Sequence, residues 1–121
     1  MKLKKVKIVV QPIKGVKAEW SRALKGNVRS IQPKGMIIFT SLTAVAKALS
    51  PVRLELLGVI LNQKPDSIYA LAKLVERDFK NVYADVKLLV EISLVELKPT
   101  GKRDAVRPVA KYSGIEIDLK G

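Results

Sequence analysis

The chain has 121 residues, 48% of them apolar, and a formal net charge of +12 from 23 Lys/Arg against 11 Asp/Glu. That length suits one compact domain with an extension, and the apolar share excludes wholesale disorder. Cysteine and histidine are both absent, which excludes disulfides, thiol nucleophiles, zinc-finger ligands and imidazole bases.

No apolar run approaches the ~18 residues of a membrane span. The basic start, Met1 to Val6, lacks the long apolar stretch and small-residue cleavage site of a signal peptide. The expected location is the cytoplasm, with no membrane partner. The charge favours a polyanion, and nucleic acid is preferred over a merely solubilising lysine surface. It is unevenly spread: residues 1–34 carry ten Lys/Arg and one acid, Glu19, whereas residues 66–98 hold five bases and six acids.

In chain order, Leu3 to Gln11 reads as a strand, β-branched at its centre and stopped by Pro12. Lys14 to Lys25 suits a short helix with Val16, Trp20 and Leu24 on one face, ending at Gly26. Trp20 is assigned to core or dimer interface. Met36 to Phe39 is a second strand. Ser41 caps a helix whose inner face is Leu42, Val45, Ala46 and Leu49. Ser50-Pro51 opens another, burying Leu54, Leu57, Ile60 and Leu61. Asp66 or Ser67 caps a helix with Ile68, Leu71, Ala72 and Val75 inward. Asp78 caps a further one, about 78–92, with Phe79, Val82, Val86 and Leu89 inward. Leu94 to Lys98 is a strand, Pro99 to Asp104 a turn with Gly101 at its tip, and Val106–Ala110 and Ile115–Leu119 return as extended chain.

Three short helices followed by a ribbon with a basic tip is the order of a winged helix-turn-helix. The expected fold is α+β, a three-helix core plus β-wing over 50–121, preceded by a β-α-β-α extension over 1–49 that pairs two copies. The 78–92 helix would enter the major groove, and the wing, about 99–107, would lie on backbone or minor groove. With its apolar face inward, that helix presents Lys80, Asn81, Ala84, Asp85 and Lys87, while Tyr83 either covers the core edge or touches a phosphate. Asn pairs with adenine, Lys reaches guanine, and Ala leaves room for a thymine methyl. Lys102, Arg103 and Arg107 supply phosphate contacts, and Ser67, Tyr69 and Arg77 complete the candidate DNA-binding set. The competing reading for Lys80, Asn81 and Lys87 is an ordinary solvated face. Asp85, repulsive to phosphate, is expected to pair with a nearby lysine.

The stretches Ser50–Leu57, Lys64–Ala72, Arg77–Leu89, Leu94–Leu97 and Arg107–Ile117 together resemble the small prokaryotic, often archaeal, MarR-like winged-helix regulators. The resemblance implies duplex DNA binding by the 78–92 helix, a homodimer, control of a nearby operon and, in some members, autoregulation of an antitoxin type; a toxin or another protein as partner is left open. Such sequences usually carry glycine in the turn before the reading helix and again after it, where this chain has Glu76 and Ser93. No nucleophile–base pair, metal cluster or phosphate-binding glycine loop stands out, so neither an enzyme nor a cofactor is expected. The alternatives are a winged-helix protein–protein adaptor and an RNA-binding module.

Overall fold

In the computed structural model, which describes residues 4–11, 35–102 and 105–118, the chain is α+β, with four helices and two small sheets among those residues. It divides into two units: residues 1–47 with 112–121, and residues 48–111.

The first unit is built on a parallel three-stranded sheet. Strand β1 (Lys5–Val10) lies in the middle, β2 (Met36–Phe39) on one side and β5 (Gly114–Asp118) on the other. Parallel neighbours cannot be joined by a tight hairpin, and the β1–β2 connection runs through residues 12–34, outside the described residues. The expected 14–25 helix, with Trp20, falls there. Alternation along β1 turns Val6 and Ile8 inward, both fully buried, and leaves Lys5 and Lys7 exposed. In β2, Ile37, Ile38 and Phe39 are all buried.

Val6 and Ile8 are buried within the single chain. One expectation changes here: the last strand was grouped with the 50–121 wing. It instead pairs with β1, Lys5 opposite Gly114 and Ile8 opposite Ile117, so the second unit ends at Lys111.

Helix α1 (Leu42–Ala48) begins at Ser41, whose hydroxyl oxygen accepts from the Ala44 N–H at 3.0 Å. Its inward side is narrower than expected: Val45 and the following Leu49 are buried, whereas Leu42 and Ala46 are exposed.

The second unit packs three helices and an antiparallel ribbon. These are α2 (Pro51–Gln63), α3 (Ile68–Val75), α4 (Phe79–Glu91), β3 (Val95–Pro99) and β4 (Val106–Ala110). Each helix starts on a side-chain cap that satisfies an orphan amide: Ser50 accepts from Arg53 N–H, Ser67 from Ala70 N–H and Asp78 from Asn81 N–H. The core joins Leu56 and Ile60 of α2, Ile68, Leu71 and Ala72 of α3, and Val82, Val86 and Leu89 of α4, with Leu94, Val95 and Ala110 beneath.

Two inner faces differ from the sequence reading. In α2 the fully buried pair is Leu56 and Ile60; Leu57 and Leu61 are half-buried and Leu54 is 44% exposed. Apolar residues surround this helix, so spacing alone selects no face. In α4, Val82, Val86 and Leu89 point inward as expected, but Phe79 is 45% exposed. Phe79 is the first residue of α4, beyond the turns that pack on the core.

Candidate functional site

The solvent side of α4 gathers most of the sequence-predicted contacts. Opposite Val82, Val86 and Leu89, the helix exposes Lys80, Asn81, Ala84 and Lys87, with Tyr83 along one flank. Asn81 gives its backbone N–H to the Asp78 carboxylate at 3.2 Å, which anchors the first turn and leaves its side chain outward.

The angle of α4 is held by a charged clamp. Asp85 accepts from Arg53 Nε of α2 at 3.0 Å and from Arg77 Nη2, in the α3–α4 turn, at 2.9 Å. Arg53 also reaches the Ala48 carbonyl at 3.3 Å. Charge-assisted bonds of this kind are about twice as strong as neutral ones. Asp85 therefore ties one side of α4 to two neighbouring segments. The lysine expected beside it is replaced by two arginines. Arg77, assigned to DNA, is turned onto Asp85, and its Nη1 is buried with no hydrogen-bond partner among the described residues.

The turns around α4 resolve the missing glycines. Glu76 has φ 54° and ψ 49°, and Ser93 has φ 70°. Both turns keep the left-handed conformation that glycine favours and bear its steric cost with an ordinary side chain, on the order of 1 kcal/mol each.

The ribbon tip is organised by Thr100, whose hydroxyl oxygen accepts from Lys102 N–H at 3.2 Å and donates to the Ala105 carbonyl at 3.2 Å. Gly101, at φ 86°, supplies the left-handed residue. Lys102 and Arg107 are exposed; Arg103 lies outside the described residues. Lys98, absent from the sequence-predicted set, is exposed directly opposite Arg107 across the ribbon. Like charges at such a pair are destabilising. Only the strand register reveals this pair.

Ser67 is the α3 cap and Tyr69 is 60% exposed. Tyr69, Phe79 and Tyr83 form a surface row: Tyr69 and Phe79 have ring centroids 6.3 Å apart, and Phe79 and Tyr83 stack at 5.8 Å. Lys73 Nζ lies 5.0 Å from the Tyr69 ring centre and Lys87 Nζ 5.7 Å from that of Tyr83. Among the described residues no polar or charged residue is buried, no group of His, Cys, Asp or Glu is placed to hold a metal, and no helix is long and apolar enough to cross a membrane.

The model of one family, HVO_A0114, matches residues 48–117, more than half of the chain and all of its second unit. No curated protein and no solved structure matches the sequence.

Proposed function

The chain belongs to the HVO_A0114 family, and from the exposed side of α4 we propose that its second unit is a winged helix-turn-helix that reads double-stranded DNA as a transcriptional regulator. Support comes chiefly from one surface: a 13-residue helix with Val82, Val86 and Leu89 fully buried and Lys80, Asn81, Ala84 and Lys87 turned to solvent. A helix of that length fits the major groove, and those side chains suit base edges. The ribbon carries Lys98, Lys102 and Arg107 outward, where phosphates beside the groove would meet them.

Base reading and phosphate contact separate by mutation. On a duplex selected from a random pool, Asn81→Ala should weaken binding by roughly 1–3 kcal/mol, with much less effect on random DNA. Lys102→Ala should weaken both alike, because a phosphate contact carries no base information. Fluorescence anisotropy at fixed salt measures the two ratios. If Asn81→Ala leaves the selected duplex bound as before, α4 is not the reader, and a protein–protein adaptor becomes the better description.

A further inference from the structure

We propose that the groove between the amino-terminal ends of α3 and α4 and the ribbon binds an unstacked base of single-stranded DNA. The groove has a volume of about 340 Å³ and is lined by Ser67, Ile68, Tyr69, Phe79, Tyr83, Ala105 and Val106. It lies beside the outer side of α4, and its occupancy does not depend on duplex reading.

The side chains specify the ligand chemistry. Tyr69, Phe79 and Tyr83 expose 60%, 45% and 41% of their surface, so three aromatic rings meet solvent within one row. Such a row is what successive bases stack on, and stacking tolerates any base. None of the seven lining residues is a carboxylate. Lys73 and Lys87 stand over the outer rings of the row, placed to follow a phosphate backbone while a base occupies the groove. The second unit's own excess of positive charge, eleven Lys/Arg against eight acids, favours the same partner. The Ser67 hydroxyl oxygen already accepts from Ala70 N–H, and its hydrogen is left to donate to a base acceptor. Ile68, Ala105 and Val106 give an apolar wall suited to the C5-methyl of thymine, which favours DNA over RNA.

The test uses the full chain and fluorescein-labelled strands of about 16 nucleotides, the upper site size of a small single-strand binder. Oligothymidylate is compared with an abasic strand carrying the same phosphates. Oligothymidylate should bind about 5- to 150-fold more tightly, the range that one stacked base supplies. Phe79→Ala should bring the two affinities together, whereas Phe79→Trp, which keeps a ring face, should retain the preference. Oligouridylate should bind more weakly than oligothymidylate; equal or tighter binding overturns the assignment to DNA. Equal affinity of the unmodified protein for thymidylate and abasic strands overturns the proposal without any variant. So does a preference that survives Phe79→Ala. Asn81→Ala, which tests α4 on duplex, should leave the strand preference intact, so failure of one reading is distinguishable from failure of the other.

Discussion

At Glu76 and Ser93 the backbone holds ordinary side chains in the left-handed region. Glycine there removes the steric cost of roughly 1 kcal/mol but gives the unfolded chain more freedom, worth about 0.4–1 kcal/mol. Glu76→Gly and Ser93→Gly should each stabilise the protein slightly, on the order of 0.5 kcal/mol, and raise the melting temperature by roughly 2 °C; a fall in either would show that the side chain makes a compensating contact. Asp85 behaves oppositely. Asp85→Ala strips two charge-assisted bonds and leaves Arg77, one nitrogen already buried, without its carboxylate. Because all three side chains are partly solvated, the loss should be about 1–2 kcal/mol, read from the denaturant midpoint. The caps at Ser41, Ser50, Ser67 and Asp78 were legible in the sequence, since each closes a bond only three residues long. The partners of Asp85 were not, because Arg53 is 32 positions away.

Among the elements, α2 is the least determined by its own pattern. It holds Gly58 inside a helix, where nothing lies within 4 Å of a Cβ built on it. Gly58→Ala should therefore gain the ordinary helix-propensity difference, about 1 kcal/mol, measured by thermal unfolding. A loss would indicate that another surface closes on that side of α2. Helix α4 was easier to read, because three buried positions recur at helical spacing and polar residues fill the opposite side. Its first residue was misassigned: Phe79 continues the apolar stripe in projection but sits at the open end of the helix. Periodicity records angle around the axis and says nothing of how far along the axis the core extends. The ribbon tip was legible from Gly101 and its neighbours, whereas the Lys98–Arg107 pairing needed the register.

Across the whole molecule, charge and fold divide unequally. The second unit holds eleven Lys/Arg against eight acids, so most of the excess positive charge belongs to residues 1–47 and 112–121. Lys5 and Lys7 of β1 are exposed, as is Lys4 just before it. Deleting this region to test its role would remove the central strand of the sheet, so charge neutralisation is the sound experiment. Replacing all three lysines by Gln should lower the slope of log affinity against log salt by about 0.9 for every lysine that meets a phosphate; an unchanged slope places that face away from the duplex. The sequence grouped the closing strand with the ribbon because the two are neighbours in the chain. Parallel pairing with β1 joins segments from far apart in the sequence, and local pattern carries no trace of it.

The β1–β5 pairing also bears on biosynthesis. Domains are commonly completed in the order in which they leave the ribosome, amino-terminal first. Here the 48–111 unit interrupts the other and is fully translated before β5 exists. The segment made first must wait with one edge of β1 unoccupied, while the segment made second already has every strand and helix it requires. The nascent chain thus exposes an unpaired strand edge for the time needed to synthesise the interrupting unit, and the lysines alternating along that edge are a recognised protection against mispairing in such an interval.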